Sequence, residues 1–308
     1  MLRTSNILVT GGAGTLGRAI AERRRREGWT GKLTVYSTDD HKHQLMRRFY
    51  PDIQYVQGDI RNPDTLYNAM CGHEVVIHAA AVKVIPTSEY WSIDTFDVNV
   101  NGSLNVCIQA MRANVKHVLG ISTDKACHPA NAYGCTKMMM EKAFQEFSRT
   151  ETETHFHLVR YGNVLESNGS VIEAWHKAIE RGEKIKVTDP NMTRFWLSPQ
   201  QAVDLVILAM KLESGLILIP KMPSLSIGRL AEYTACDQKD WQRIPMRPGE
   251  KMHEELLTIE ETEYAVESND FFFLRPSTAE KVANPPDPFS SDVAQELTEQ
   301  ELGVLLDG

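Results

Sequence analysis

A tyrosine and a lysine four residues apart, Tyr133 and Lys137, form the first pattern that predicts chemistry. In a helix this spacing places both side chains on one face. A lysine ammonium beside a phenol lowers the phenol pKa from its ordinary value of about 10, so that the tyrosine serves as a base at neutral pH. Thr123, Asp124 and Lys125 precede the pair and add a hydroxyl, a carboxylate and an ammonium group. These five residues are the predicted catalytic set.

A glycine-rich segment near the amino terminus predicts a dinucleotide site. It follows a short β-branched strand and opens a helix that extends to about Glu27. Glycines permit a tight turn and close backbone approach, and the helix N-terminus offers free N–H groups and positive potential to a pyrophosphate. The residues predicted to bind the cofactor here are Gly11, Gly14, Thr15, Leu16 and Gly17.

The cofactor is predicted to be NADP, with NAD as the alternative. About 20 residues after the glycine turn, NAD-binding chains usually present an acid to the ribose, whereas this chain has a tyrosine and a serine there. Arg18, Ser37 and Lys42 are expected to surround a 2′-phosphate. Other residues expected to contact the cofactor are Asp59, Ile60, Ala79, Ala80, Ala81 and Lys83.

The elements that must position these residues follow an alternating strand and helix pattern, which predicts an α/β fold: a Rossmann-type, doubly wound parallel sheet. We expect strands at 7–10, 33–36, 55–57, 75–79, 118–122 and 157–161, and a seventh at 216–219. The predicted dinucleotide-binding domain comprises 1–165 and is completed by 196–220. Residues 166–195 and 221–308 form a smaller substrate-binding lobe, and the tail after Phe273 is expected to be loosely structured.

Composition and charge exclude several classes of protein. The chain of 308 residues carries 33 basic and 41 acidic residues, a net charge of -8, which disfavours a nucleic-acid partner. The ten histidines show no metal-ligand spacing, so no metal is predicted. Five cysteines without a CxxC pair, and no apolar run of about 18 residues, predict a cytoplasmic protein without a membrane span.

A set of strings in the right order resembles the extended short-chain dehydrogenase/reductases, and among them the C5-inverting UDP-N-acetylglucosamine 4,6-dehydratases of pseudaminic acid synthesis. The strings are TGGAGTLG, HAAAVKVIP, STDKACHPANAYGCTK, RYGNV followed by NGSV, TDPNMTRFW, IPKMPSL and RPGEKMHEELL. The resemblance implies a hydro-lyase with an internally recycled NAD(P), a UDP-N-acetylhexosamine substrate, and a role in surface glycan or nonulosonic acid synthesis.

The resemblance also implies roles for single residues. Tyr133 takes the O4 proton during oxidation at C4, and Lys137 holds the nicotinamide ribose. Lys125 removes the C5 proton and Asp124 protonates the departing C6 hydroxyl, or the two exchange roles. An epimerase has no need of this added base and acid. The residues implied for substrate binding are Lys83, Asn163, Arg194, Arg247 and Glu250.

The chain departs from the family pattern in three places. Thr38 stands where these enzymes tend to carry an arginine for the 2′-phosphate, and Glu166 brings an extra carboxylate near the sugar. The carboxyl-terminal lobe is short. The apolar stretches 93–106 and 138–147, together with the family likeness, predict a homo-oligomer, a dimer or higher.

Two other functions fit parts of the pattern. A UDP-sugar 4-epimerase or a 4-keto-sugar reductase would use the same fold, although Asp124 and Lys125 argue against both. A catalytically inactive dinucleotide-sensing or scaffold protein would keep the glycine turn. Such a protein needs no acid–base set, and the presence of Thr123, Tyr133 and Lys137 therefore favours an enzyme.

Overall fold

The computed structural model of the chain describes residues 2–165, 170–235 and 240–307. Its strands are β1 (Ile7–Thr10), β2 (Leu33–Ser37), β3 (Gln54–Gln57), β4 (Val75–His78), β5 (His117–Thr123), β6 (His155–Tyr161), β7 (Asn163–Val164), β8 (Ile185–Val187), β9 (Thr193–Leu197), β10 (Ile217–Pro220), β11 (Ser224–Ser226), β12 (Trp241–Arg243), β13 (Glu255–Leu257), β14 (Ala265–Glu267), β15 (Phe271–Leu274) and β16 (Phe289–Ser290).

The helices lie between these strands and after them. They are α1 (Thr15–Glu27), α2 (Asp40–Arg47), α3 (Pro63–Met70), α4 (Ile85–Tyr90), α5 (Ser92–Phe96), α6 (Gly102–Arg112), α7 (Ala132–Phe147), α8 (Val171–Glu180), α9 (Pro199–Ala209), α10 (Ile227–Ala235), α11 (Ile259–Thr262) and α12 (Glu299–Asp307). A π-helical turn spans Asp97–Asn101, and a 3₁₀ turn spans Asp124–Ala126. In the described part of the chain, no helix is long and apolar enough to cross a membrane.

Nine strands of the described chain form one large sheet in the order β14-β15-β10-β6-β5-β4-β1-β2-β3. The strands from β10 to β3 pair in parallel, and β15 and β14 are added antiparallel at one edge. The strand order reverses between β1 and β4, which is the switch point of a doubly wound sheet. The predicted Rossmann-type fold is confirmed, and the seventh predicted strand lies at β10, beside β6.

The central strands are apolar because helices cover both faces of the sheet. β1 and β4 are buried at every residue. Their last side chains are polar and meet each other: Thr10 Oγ1 lies 2.8 Å from His78 Nδ1, and His78 Nε2 lies 2.9 Å from Ser103 Oγ. Burial lowers the pKa of His78 to about 3, so this ring is neutral and ties the two strands together below the cleft.

A second, smaller core lies beside the sheet. Trp175 of α8, Trp196 of β9 and Leu230 of α10 are buried in it, together with Leu297 and Leu302 from the end of the chain. The expectation of a loosely structured tail is wrong from Phe289 onward, because β16 pairs with β13 and α12 packs on this core, whereas residues 275–288 form no helix or strand. The domain boundaries stay a prediction, and β14 and β15 bring residues of the predicted lobe into the large sheet.

Candidate active site

A cleft of about 820 Å³ opens at the carboxyl ends of the parallel strands. Open α/β sheets bind ligands at this end, at the switch point of the strand order. Segments that follow β1, β2, β3, β4, β5 and β6 contribute to the lining. Among the residues predicted from the sequence, the lining contains Gly11, Gly14, Thr15, Leu16, Ser37, Lys42, Asp59, Ile60, Ala79, Ala80, Ala81, Lys83, Thr123, Lys125, Tyr133, Lys137, Asn163, Arg247 and Glu250.

The glycine turn fits between the sheet and the loop after β4. Gly11 has a φ of 64°, and a Cβ built on it would lie 2.7 Å from the Ala80 Cα. A Cβ on Gly17 would collide with the Gly12 carbonyl oxygen, so this glycine lets α1 pack against the turn and does not itself line the cleft. The turn thus leaves a backbone cradle that ends at the N-terminus of α1, as a pyrophosphate requires.

The segment that follows β2 borders the cleft, and its lysine, Lys42, already forms an ion pair with Asp39. Lys42 Nζ lies 2.9 Å from Asp39 Oδ2, and the Lys42 backbone N–H donates to Asp39 Oδ1 because Asp39 caps α2. Ser37 Oγ lies 2.7 Å from His43 Nε2. Arg18 is exposed on α1 and is not part of the lining. Of the three residues expected around a 2′-phosphate, the structure brings Ser37 and Lys42 to the cleft.

Asp59 follows β3 and is held by a neighbouring guanidinium. Arg61 donates to Asp59 Oδ1 at 3.1 Å and to Oδ2 at 2.6 Å, and these hydrogen bonds lower the Asp59 pKa. Ile60 is buried against Gly102, where a Cβ would lie 2.6 Å from the Ile60 side chain. This carboxylate, which is predicted to contact the cofactor, is therefore ionised and held in place by Arg61.

The loop after β4 is held by Asn99, a residue that the sequence analysis did not single out. Asn99 is buried in the π-helical turn, its Oδ1 accepts from the Val82 N–H at 2.8 Å, and its Nδ2 donates to the Val82 carbonyl at 2.9 Å. Nδ2 also donates to Thr136 Oγ1 of α7 at 3.0 Å. Asn99 thus joins the loop that carries Lys83 to the helix that carries Tyr133. π-Helical turns are frequent at functional sites, but this one is not visible in the sequence.

Tyr133 and Lys137 lie on consecutive turns of α7 and face the cleft. Burial raises the pKa of Tyr133 to about 12, while the Lys125 charge and a hydrogen bond with Thr123 act to lower it. Burial lowers the pKa of Lys137 to about 7, and its Nζ lies 2.9 Å from Met140 Sδ. The Lys125 charge is thus one cation that acts on the phenol, and the effect expected of Lys137 from the spacing stays a prediction.

The turn after β5 carries an ion pair at the floor of the cleft. Thr123 Oγ1 donates to Asp124 Oδ1 at 2.8 Å, and Lys125 Nζ donates to the same oxygen at 3.0 Å. Lys125 Nζ also lies 3.3 Å from Asn163 Oδ1 and 3.4 Å from Glu254 Oε1. Asp124 is fully buried behind Lys125 and does not line the cleft. The structure therefore brings an ammonium to the cleft surface and holds its carboxylate partner beneath it.

The residues implied for the nucleotide half separate into two groups. Arg247 and Glu250 line the cleft and bond to each other, the Arg247 backbone N–H donating to Glu250 Oε2 at 2.9 Å. Arg194 is buried outside the lining and donates to the carbonyls of Thr193, Lys251 and Met252 at 2.7, 2.9 and 3.2 Å. Its guanidinium therefore holds the lobe backbone. Glu166 lies outside the described residues.

Residues 249–254 of the lobe form hydrogen bonds and an ion pair with residues 125–131, the turn after β5 and the start of α7. Lys251 Nζ donates to the Cys127 carbonyl at 2.6 Å, and Asn131, the N-cap of α7, donates to the Gly249 carbonyl at 2.9 Å. Glu254 reaches Lys125 from the same segment. These contacts lie in RPGEKMHEELL, where the sequence analysis had selected only Arg247 and Glu250. The RPGEKMHEELL string marked this segment as part of the family pattern. Its contacts are with residues more than a hundred positions earlier in the chain, and the string itself does not indicate them.

A buried charge network supports α7 from below. The Arg160 side chain of β6 is 1% exposed and donates to Glu141 of α7 at 2.6 Å and to Glu261 of α11 at 2.8 Å. Ser122, just before the catalytic turn, donates to Glu141 at 2.5 Å. Burial acts to raise the Glu261 pKa, but Arg160 outweighs it and holds that pKa below its ordinary value. The network fixes β5, β6 and α7 relative to the lobe.

The fold and the cleft define a Rossmann-type α/β protein with a glycine turn at the switch point and an acid–base set on the next strands and α7. The chain belongs to the polysaccharide biosynthesis protein family, whose model matches residues 7–276. This match covers the whole of the large sheet.

Individual relatives are similar over most of their length. The chain is 35% identical over 283 residues to UDP-N-acetylglucosamine 4,6-dehydratase (inverting) of Campylobacter jejuni, which covers 90% of this chain and 84% of the relative. It is also 35% identical over 283 residues to a protein named UDP-glucose 4-epimerase from Rickettsia conorii, covering 88% and 83%. The X-ray structure of Pen from Bacillus thuringiensis superposes with a TM-score of 0.92 at 33% identity, covering 100% and 98%. The family resemblance found in the sequence motifs is confirmed.

Proposed function

We propose that the protein is a UDP-N-acetylglucosamine 4,6-dehydratase that inverts C5. Its product would be a UDP-2-acetamido-2,6-dideoxy-hexos-4-ulose for surface glycan or nonulosonic acid synthesis, pseudaminic acid included. The observation that carries the proposal is the Lys125–Asp124 ion pair, 3.0 Å long, whose lysine lines the cleft beside Tyr133 and whose carboxylate lies just beneath it. Loss of water from C6 requires an acid and a base beyond the one that serves C4, and this pair supplies them. The similarity to the dehydratase of Campylobacter jejuni supports the same reaction.

The cleft fits a nicotinamide dinucleotide, which when bound supplies the hydride acceptor and donor of the reaction. The cradle at Gly11, which a Cβ would fill, and the N-terminus of α1 suit its pyrophosphate. Ala79, Ala80 and Ala81 leave the loop after β4 open to close approach. Lys137 is placed to hold the nicotinamide ribose hydroxyls, with Lys83 nearby in the lining.

NADP is the proposed form of the cofactor, because Lys42 and Ser37 line the cleft where β2 ends. Binding of a 2′-phosphate must draw Lys42 away from Asp39, its present partner. Dissociation constants for NADP and NAD, measured on stripped protein, test this proposal. NADP is expected to bind more tightly, and a tenfold preference for NAD, about 1.4 kcal/mol, would reverse the assignment.

The residues act on protons at three atoms of the sugar. Tyr133 receives the O4 proton, and the Lys125 charge stabilises the phenolate that does so. Lys125 removes the C5 proton and Asp124 delivers one to the departing C6 hydroxyl. Because the free pair holds Lys125 as an ammonium, one proton must first pass from Nζ to the Asp124 oxygen 3.0 Å away. The exchanged assignment, with Asp124 as base and Lys125 as acid, needs no such transfer, because Asp124 is already a carboxylate and Lys125 an ammonium in the ion pair.

The nucleotide half of the substrate is proposed to meet Arg247 and Glu250. A guanidinium suits a diphosphate, and a carboxylate suits ribose hydroxyls. Both side chains line the cleft, as do Asn163 and Lys83, which are proposed to face the sugar. The role implied for Arg194 needs its guanidinium to leave three carbonyl oxygens, so we propose that it shapes this half of the site through Lys251 and Met252.

A UDP-sugar 4-epimerase is the second candidate, because relatives of equal identity carry that name. Incubation with UDP-N-acetylglucosamine in deuterated water, followed by NMR of the product, separates the candidates. A dehydratase forms a methyl group and takes one solvent deuteron at C5, with an L-arabino ring if C5 is inverted. An epimerase forms no methyl group, a reductase consumes NADPH in proportion to product, and an inactive scaffold leaves the sugar unchanged. Any of these last three results would reject the proposal.

The protein is further proposed to act as a homo-oligomer in the cytoplasm. Ile93 is 85% exposed and Trp91 61%, and Phe96 and Met139 are also exposed, so an apolar surface lies over α4, α5 and α7. A second copy that covers this surface would remove it from water. Light scattering at micromolar concentration should show a dimer or a larger assembly, and a stable monomer would contradict this. The four described cysteines are free, as in reducing compartments.

A further inference from the structure

Glu254 is a buried carboxylate that the proposed reaction has not used. It is 3% exposed, directly precedes β13 and does not line the cleft. Its Oε1 lies 3.4 Å from Lys125 Nζ and 3.9 Å from Arg194 Nε. Its Oε2 has no hydrogen-bond partner among the described residues, with Lys251 Nζ 4.0 Å away. A buried carboxylate is costly unless a charge compensates it, and Lys125 is the nearest cation.

The backbone fixes this carboxylate at the catalytic turn. The Glu254 N–H donates to Ser291 Oγ at 2.9 Å, and the Ser291 N–H donates to the Glu254 carbonyl at 2.8 Å. Three residues earlier, Lys251 is bonded to the Cys127 carbonyl at the end of that turn. The Ser291 bonds hold the backbone of Glu254, and the Lys251 bond holds its segment against the turn that carries Lys125. Together they fix the distance between Glu254 and Lys125.

Lys125 is surrounded by charged and polar groups from six elements. Burial acts to lower its pKa, but the charges of Asp124 and Glu254 outweigh burial and raise the pKa above its ordinary value, against the opposing charge of Arg194. The groups that face or influence Lys125 are Asp124 of its own turn, Glu254 before β13, Arg194 of β9, Asn163 of β7, Tyr133 of α7 and Lys83 after β4. Within this set, Asp124 and Glu254 are the carboxylates. Asp124 belongs to the same turn as Lys125, whereas Glu254 comes from the lobe.

We propose that Glu254 is a positioning residue that holds the Lys125 ammonium against Asp124 and sets its affinity for the proton. The catalytic part of this inference rests on the proposed dehydratase function, whereas the charge coupling belongs to the protein alone. Asp124 and Glu254 both lie against the Lys125 ammonium, so a second carboxylate stabilises that charge when Asp124 takes up a proton. The lobe thereby completes the acid–base pair of the Rossmann domain.

Acylation of the full chain by acetic anhydride at pH 8 tests the charge coupling without substrate, because only the neutral amine reacts. Peptide mass spectrometry gives the rate at Lys125, with Lys83 as a reference for access to the same cleft. In Glu254→Gln, the rate at Lys125 should rise at least about tenfold, the effect of one pKa unit, while that at Lys83 stays constant. Glu255→Gln, the same change one residue later, should alter neither rate.

The labelling rates and the steady-state kinetics decide the proposal. An unchanged acylation rate at Lys125 in folded Glu254→Gln overturns the proposal. An equal rise in the rates at Lys125 and Lys83 also overturns it, because it means that both lysines have only become more accessible. If Glu254→Gln does not fold, Glu254→Asp, which keeps the charge but withdraws it by one methylene, must still raise the Lys125 rate more than the Lys83 rate. With UDP-N-acetylglucosamine, the kcat of Glu254→Gln should fall about tenfold with KM within twofold. If the wild type does not dehydrate this sugar but the labelling result holds, the dehydratase function fails and the coupling stands.

Discussion

Removal of the Arg160 guanidinium should destabilise the protein more than any change of a surface arginine. Arg160 is 1% exposed and donates to both oxygens of Glu141, at 2.9 and 2.6 Å, and to both oxygens of Glu261, at 2.8 Å each. Arg160→Met keeps most of the side-chain volume but leaves Glu141 without its cation in the core. Breaking a buried ion pair by loss of one partner costs about 3–5 kcal/mol.

This loss is large enough to measure by thermal unfolding. An unfolding entropy of about 2.1 cal/mol/K per residue gives about 1.5 °C per kcal/mol for 308 residues, so the Tm should fall by about 5–8 °C. Arg229→Met is the matched control, because Arg229 is 43% exposed and pairs with Glu296 in solvent, where such pairs contribute less than about 1 kcal/mol. Adding Glu141→Gln to Arg160→Met should recover part of the loss, since the buried side chain at position 141 then carries no charge. Equal Tm values for the two arginine variants would refute the reasoning.

Two further predictions concern the base on α7 and the pH dependence of stability. Tyr133→Phe should lower turnover by about 10²- to 10⁴-fold with an unchanged Tm, and Lys137→Ala should also lose activity while it stays folded; a Tyr133→Phe enzyme that keeps more than about a tenth of wild-type turnover would exclude this tyrosine as the main base. His128 lies 2.8 Å from Glu255 and 2.9 Å from Glu260, and the hydrogen bond to Glu255 is the main reason that its pKa is raised. The stability from protonated His128 is complete below pH 6.5 and is lost as the pH rises through the raised folded-state value. His128→Asn, which tolerates the positive φ at this position, should therefore lower the Tm at pH 6 and have a smaller effect at pH 9. An equal effect at both pH values would contradict the charge assignment.

The parallel half of the fold could be predicted because its signals are local. β1 and β4 are short apolar runs bounded by turns, and the glycine turn directly follows β1. Tyr133 and Lys137 are four apart in one helix, so their common face needs no tertiary information. The effect of burial does need it, because burial raises the pKa of Tyr133 and lowers that of Lys137, and the charge of Lys125 also acts on Tyr133.

The lobe could not be predicted because its elements are short and pair with distant parts of the chain. β13 is three residues long and β16 is two. They pair with each other although β14 and β15 lie between them in the sequence. Leu297 and Leu302 enter the second core from a tail whose prolines suggested loose structure. Glu254 has no signal of its own, since its importance comes from Lys125, which is 129 positions earlier in the chain.

The most direct test of the dehydratase function is the fate of the hydrogen at C4 of UDP-N-acetylglucosamine. In the proposed dehydration the hydrogen removed from C4 would return to the same sugar at C6, so a substrate with deuterium at C4 should give a 6-deoxy-4-keto product with the deuterium in its methyl group. Lys125→Ala should still oxidise C4 through Tyr133, more slowly because the phenolate loses a stabilising charge. It should release no C5 proton, so that only a trace of reduced cofactor accumulates. NMR of the product shows where the deuterium lies, and the absorbance of the reduced cofactor reports oxidation at C4 in the variant. Deuterium returned to C4 with no methyl signal, or normal dehydration by Lys125→Ala, would contradict the role given to the Asp124–Lys125 pair.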